Sequence, residues 1–289
     1  MTRGELIAEL ATSLGARHEA RFIVEEVLGA PPPGDDRMAG PSDVETARRL
    51  AARRRAGEPL QYVLGHWAFR ALDLLVDRRV LIPRPETEQV VEVALGEIGQ
   101  PGTTPLTVVD AGTGSGAIAL SLATELAHRH PAARLWGTDA SPEALAVARA
   151  NRGRVRRQRA GAVLPVRFVE GNWLDPLPSR LRGALNVVVS NPPYVAGAEW
   201  PDLAGEVRCE PVGALVAGDG TDGTPGLGDV EVLLSQAWVW LARPGAVVIE
   251  LAPHQADAAA LMARRMGYVD VRVERDLARR PRALVGRTR

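Results

Sequence analysis

Apolar residues recur at helical spacing near the start of the chain, first as Leu6, Ile7, Leu10 and Leu14 and then as Phe22, Ile23 and Val27. This pattern predicts short helices over roughly the first 60 residues. Pro31-Pro32-Pro33-Gly34 interrupts it. Ser42 with Glu45 then reads as a capping box opening an Arg/Ala-rich helix that ends near Gly57. So small a bundle has little core of its own, which predicts that it docks elsewhere or presents a partner-binding face. Between Gly65 and Ile82 the periodicity shortens to apolar runs at 67–69, 72–76 and 80–82. These predict a hairpin or a pair of extended segments.

Past residue 104 short apolar runs alternate with helical stretches. Runs at 106–109, 134–137, 166–169, 186–190, 246–251, 269–273 and 283–285 read as seven strands. Between them a helix passes through Ile118, Leu120, Leu122 and Leu126, and Ser141 caps another that carries Pro142 in its first turn. Strands this uniformly apolar are covered on both faces, and their alternation with helices predicts an α/β fold. The expected architecture is a doubly wound, mostly parallel, seven-stranded Rossmann-like sheet. The expected organisation is a helical domain over 1–62, a β-hairpin linker over 63–82 and a sheet domain over 83–289. The glycine-rich stretch 218–228 reads as a long flexible loop.

Composition narrows the function classes. Arg supplies every one of the 35 basic residues and balances 35 acidic ones, so the formal net charge is zero. Broad electrostatic capture of nucleic acid or anionic membrane is not expected, and no stable nucleic-acid partner is. One cysteine, Cys209, excludes an internal disulfide and a cysteine-built zinc site, and no metal is expected. Glu5 and Glu9 interrupt the N-terminal apolar positions, unlike a signal peptide, and no apolar run nears the roughly 18 residues of a membrane span. The expectation is a cytoplasmic protein, monomeric and without a membrane partner.

The candidate chemistry clusters where strands end. Asp110-Ala111-Gly112-Thr113-Gly114-Ser115-Gly116 joins the first strand of the sheet to a helix. Glycines there let the backbone turn sharply and approach a ligand closely. Ligands of open α/β sheets sit at the carboxyl ends of strands, near the point where strand order reverses. The G-x-G-x-G spacing differs from the pyrophosphate-binding G-x-G-x-x-G and favours an adenosine-type ligand without phosphates. Asp139 ends the second strand, where a carboxylate can accept ribose hydroxyls, and the Trp173 indole follows the third, where it suits an adenine ring. Asn191-Pro192-Pro193-Tyr194 follows the fourth. Two prolines stiffen that loop and remove competing donors. The Asn191 side-chain oxygen and the Pro192 carbonyl can accept the two hydrogens of an amide or exocyclic amine, and Tyr194 can stack on its plane. Positioning then does the chemistry, without a metal or a covalent intermediate.

These residues resemble the protein-(glutamine-N5) methyltransferases that act on class 1 peptide chain release factors. The resemblance rests on the glycine loop, on Asn191-Pro192-Pro193-Tyr194 and on Ile82-Pro83-Arg84-Pro85-Glu86-Thr87-Glu88. Glu58-Pro59-Leu60-Gln61-Tyr62 and Arg208-Cys209-Glu210-Pro211 extend it across about 58–287. Departures are Asn172, where an acidic residue is common, Ala111, where a larger apolar one is, and the glycine-rich 218–228 loop, which is longer than usual and reads as a disordered insertion or part of a lid. The resemblance implies S-adenosylmethionine as cofactor, contacted by Gly112, Thr113, Gly114, Ser115, Gly116, Asp139, Trp173 and Asn191. It further implies that Asn191, Pro192, Pro193 and Tyr194 hold the glutamine of a Gly-Gly-Gln motif, while the helical domain holds the release factor. The Asn-Pro-Pro-Tyr motif is shared with adenine N6-methyltransferases of nucleic acids. That activity, or glutamine methylation of a ribosomal protein, is therefore the alternative.

Overall fold

A computed structural model describes the chain of 289 residues except positions 31, 33–36, 100–105, 160 and 162–163. The break expected over 31–34 lies outside the described residues, Pro32 apart. The described residues divide into two compact units, 1–67 with 204–209 and 68–203 with 210–289.

The first unit contains α1 (Arg3–Leu14), α2 (Arg17–Leu28), α3 (Pro41–Arg55) and α4 (Leu60–Leu64). Leu6 and Leu10 of α1 pack on Ile23 and Val24 of α2 and on Ala47 and Ala51 of α3. The small alanines let α3 approach closely. Thr2 and Glu5 form the capping box of α1, with Glu5 N donating to Thr2 Oγ1 at 3.2 Å and Thr2 N to Glu5 Oε2 at 2.8 Å. The capping box expected at Ser42 is displaced. Gly40 is the N-cap of α3, its N–H donating to Asp43 Oδ2 at 3.0 Å. Pro41 takes the first helical position, where its fixed φ is favourable and its missing N–H costs nothing. Phe22, aligned with the apolar stripe, is 43% exposed and meets Trp67 edge-on at 5.9 Å.

β1 (His66–Phe69) and β2 (Leu72–Leu75) pair as a short hairpin. The apolar run at 80–82 forms no strand. Val80 N closes a turn onto Asp77 O, and Ile82 N donates to the Glu210 carboxylate at 2.9 Å, so no ladder forms there.

The remainder runs α5 (Pro85–Glu97), β3 (Thr107–Ala111), α6 (Ala117–Leu126), β4 (Arg134–Asp139), α7 (Pro142–Gln158), β5 (Val166–Glu170) and β6 (Leu185–Ser190). There follow β7 (Val195–Ala196), β8 (Val216–Ala217), α8 (Gly228–Trp240), β9 (Leu241–Glu250), α9 (Ala256–Arg265), β10 (Val269–Arg275) and β11 (Pro281–Arg287). Seven strands form one sheet in the order β10-β11-β9-β6-β3-β4-β5. Neighbours from β9 to β5 pair in parallel, and β11 runs against both of its neighbours. The expected doubly wound, mostly parallel sheet is what the chain builds.

Alternate residues of each strand explain the uninterrupted apolar runs. Val108, Val187 and Val189 enter the core with α5, α6 and α7, whereas Val109, Val188 and Ile249 enter the opposite core with α8 and α9. Strand order reverses between β3 and β6, where Ala111 lies beside Ser190. That reversal opens a crevice at the carboxyl ends, and both motif loops leave from it.

Packing behind the crevice is tight. A Cβ on Gly137 of β4 would stand 2.6 Å from Phe168 Cδ1 and 2.8 Å from Thr113 Oγ1. Gly137→Ala is therefore expected to destabilise the fold by about 1–3 kcal/mol. Thermal unfolding would show it as a lowered midpoint, and an unchanged midpoint would mean that Phe168 and Thr113 yield freely.

Candidate functional site

The glycine turn is held from below. The Asp110 carboxylate, buried at the end of β3, accepts the Thr113 hydroxyl at 2.6 Å and Ala119 N at 3.1 Å. Burial pushes this carboxyl up to about 7, against the pull of those two donors. Gly112 N and Thr113 N donate to Thr138 O of the neighbouring strand. Asn151 of α7, fully buried, donates to Ser115 O at 2.9 Å and clasps both backbone groups of Leu75. The turn is thus fixed before any ligand arrives.

Gly112, Gly114 and Gly116 all have φ between +54° and +84°, a region where a Cβ is costly. Gly112 adds a second requirement. A Cβ there would lie 3.1 Å from Cζ3 of Trp173, whose own backbone takes φ +46°. Trp173 therefore stands as a flat wall against bare backbone. The Asp139 carboxylate accepts N–H groups from Gly114 at 2.8 Å and from Ser141 at 2.9 Å. Burial raises its pKa, the two backbone donors opposing the rise. Each oxygen keeps a lone pair for a further hydroxyl.

One cavity of about 610 Å³ lies over these groups. Of the residues expected in the site, Gly112, Thr113, Gly114, Ser115, Asp139, Trp173, Asn191 and Pro193 line it. Gly116, Pro192 and Tyr194 do not. Gly116 turns inward, where a Cβ would press on Leu120, Phe168 and Ala148 at 3.2–3.3 Å, so its requirement is packing. Pro192 is buried beside Asn191. The phenol of Tyr194 is pushed up to about 12 by burial, with the Glu250 charge adding to the rise.

The Asn191–Tyr194 loop is stiff for reasons beyond its prolines. Tyr194 N and Val195 N both donate to Leu215 O, which sets up the two-residue pairing of β7 with β8. Gln255 Nε2 donates to Tyr194 O at 3.0 Å. Gly226 packs so closely that a Cβ would meet the same carbonyl at 2.6 Å. The 218–228 stretch is accordingly no open coil. Gly220 N donates to Thr224 O, Gly228 N to Gly218 O, and Gly226 N to Asp219 Oδ1 at 3.1 Å.

Thr87 and Glu250 complete the wall behind Asn191. Asn191 Nδ2 donates to Thr87 Oγ1 at 3.1 Å, and Thr87 Oγ1 donates to Glu250 Oε2 at 2.7 Å. Among the described residues nothing donates to Asn191 Oδ1 or to the Pro192 carbonyl, and Asn191 lines the cavity. Glu250 ends β9 and is fully buried; a lone acid closing an apolar strand was the signal for it. Thr87 lay inside the 82–88 motif, which Glu210 pins by pairing with Arg84 and accepting Ile82 N. Among the described residues no group of His, Cys, Asp or Glu side chains could hold a metal ion, and no helix is long and apolar enough to cross a membrane.

Comparison with known proteins gives two matching family models, the PrmC N-terminal domain over residues 5–65 and the methyltransferase small domain over 100–216. A release factor glutamine methyltransferase of Burkholderia pseudomallei is 43% identical over 240 residues, covering 82% of this chain and 79% of the relative. One of Bordetella pertussis is 40% identical over 266 residues and covers 91% of both chains. Among solved structures, the hMettl16 catalytic domain in complex with a MAT2A 3'UTR hairpin superposes with a TM-score of 0.53 at 13% identity, covering 98% of this chain and 91% of that one. That likeness is one of fold.

Proposed function

Because this chain belongs to the release factor glutamine methyltransferase family, we propose that it methylates the side-chain amide nitrogen of the glutamine in the Gly-Gly-Gln motif of class 1 release factors. It is an S-adenosylmethionine-dependent protein-glutamine methyltransferase. The cofactor, when bound, supplies an electrophilic methyl group on a sulfonium centre. The cavity fits its nucleoside. Asp139 offers carboxylate lone pairs to the ribose hydroxyls, bare backbone at Gly112 admits close approach, and the Trp173 ring gives the adenine a flat neighbour.

The observation that carries the reading is Asn191 on the cavity wall, at the strand reversal, with its amide nitrogen already committed to Thr87. An amide nitrogen is a poor nucleophile because its lone pair is delocalised into the carbonyl. Asn191 Oδ1 and the Pro192 carbonyl take its two hydrogens, orient it and favour the pyramidal geometry of attack. Pro193 and Tyr194 bound the planar group and exclude water. Rate comes from orientation and from acceptors placed where positive charge develops on nitrogen.

Domain roles follow from the same reading. Residues 1–62 hold the protein substrate, 63–82 connect and 83–289 carry the chemistry. The enzyme works in the cytoplasm as a monomer and keeps no stable nucleic-acid partner. Incubation with methyl-labelled S-adenosylmethionine and, separately, a class 1 release factor, ribosomal proteins and DNA tests this. Label is expected on the release factor, at the Gly-Gly-Gln glutamine. Label on ribosomal protein or nucleic acid alone would overturn the substrate.

A further inference from the structure

We propose that Thr87 and Glu250 are positioning residues that decide which end of the Asn191 carboxamide faces the acceptor nitrogen. The inference rests on the amide-methylating function above and concerns how its first acceptor is aimed. Three separate elements meet here: Glu250 closes β9, Thr87 lies in the first turn of α5, and Asn191 follows β6. All three belong to the same compact unit.

A threonine hydroxyl has one proton to give. While Glu250 is a carboxylate that proton goes to Glu250 Oε2, 2.7 Å away. Thr87 then has only a lone pair for Asn191, which must turn its NH2 toward Thr87, at 3.1 Å. The carboxamide is planar, with oxygen opposite nitrogen, so Oδ1 is delivered to the substrate side. In the reverse orientation an NH2 would confront the substrate's NH2, donor against donor.

The charges around Glu250 make the switch two-state. Arg282 of β11 stands 3.8 Å from Glu250 Oε1, Arg84 before α5 and Glu86 in α5 also act on it, and the neutral phenol of Tyr194 after β6 feels its charge. A proton on Glu250 avoids the oxygen that faces a guanidinium and settles on Oε2. It then points at Thr87, whose own proton turns to Asn191 and reverses the amide. Burial pushes Glu250 up to about 7, opposed first by the Thr87 hydrogen bond and then by Arg282. The competent orientation needs the ionised acid. Turnover should therefore rise with pH through about 7 and fall below it.

The test uses the full chain with a release factor, reading kcat across pH together with calorimetric affinity for S-adenosylmethionine. Thr87→Val removes the hydroxyl at similar volume, and kcat is expected to fall on the order of 10²-fold while cofactor affinity holds within about threefold. Thr87→Ser should restore kcat to within about threefold of wild type. Glu250→Gln turns its amide oxygen to Arg282 and its NH2 to Thr87, which locks the chain of bonds in reverse. It should lower kcat at every pH and abolish the acidic limb near pH 7. Wild-type kcat in Thr87→Val, or a surviving limb in Glu250→Gln, would overturn the proposal. Should Thr87→Val fail to fold, the Glu250→Gln profile decides. Failure of wild type to methylate any release factor would instead sink the function itself, and that control is read first.

Discussion

Asn191→Ala is expected to abolish most methyl transfer while sparing cofactor binding. Transfer should drop by about 10³-fold or more, since the acceptor proposed to aim the nitrogen is gone and water can enter. Affinity for S-adenosylmethionine should stay within about tenfold, a change of roughly 1.4 kcal/mol. The asymmetry follows from the placement of the side chain. Asn191 touches the cavity at one edge and is fixed by Thr87, whereas the glycine turn is built by Asp110, Asn151 and Thr138 independently of it. Single-turnover rates beside calorimetry separate the two effects. Equal loss of both would make Asn191 a cofactor ligand and no more.

The second large effect is expected at Asp139. Its two oxygens hold Gly114 N and Ser141 N and face the cavity. Asp139→Ala removes the carboxylate proposed to take the ribose hydroxyls and also leaves two backbone donors of the turn without acceptors. Cofactor affinity should weaken by about 10²-fold, near 3 kcal/mol. Turnover at saturating cofactor should suffer far less. Asp139→Asn, which keeps one oxygen, should fall between. Unchanged calorimetric affinity for the alanine variant would remove Asp139 from the site.

What could be read from the residues, and what could not, divides along physical lines. Strands such as 186–190 announced themselves because both faces are buried, which leaves no polar alternation to confuse the reading. Glycine turns and Asn-Pro-Pro-Tyr were legible because their backbone chemistry is local: φ constraints and missing donors are properties of the residue itself. Long-range partners were not. Nothing within the neighbourhood of Thr87 says that its hydroxyl will meet a carboxylate 163 positions away. The same holds for Glu210, which pairs with Arg84 and accepts Ile82 N and so holds the apolar run at 80–82 outside any strand. Glycine content likewise suggested mobility over 218–228, yet several of those glycines serve close packing and backbone hydrogen bonds, Gly226 against the Tyr194 carbonyl above all.

Gly116 illustrates the opposite error. The motif groups it with Gly112 and Gly114, but the chain has begun to turn into α6 by then and the residue faces Leu120 and Phe168. Sharing a motif placed the three glycines in one turn; only the direction in which each would carry a Cβ separates the cavity wall from the core.

A crystal structure with S-adenosylhomocysteine and a glutamine-containing release factor peptide measures the aim of the acceptor pair directly. The glutamine Nε2 should lie within about 3 Å of both Asn191 Oδ1 and the Pro192 carbonyl, pointed at the sulfur, with Asn191 Nδ2 still on Thr87. A glutamine nitrogen gripped by other residues, or met by Asn191 through its own NH2, would contradict the account.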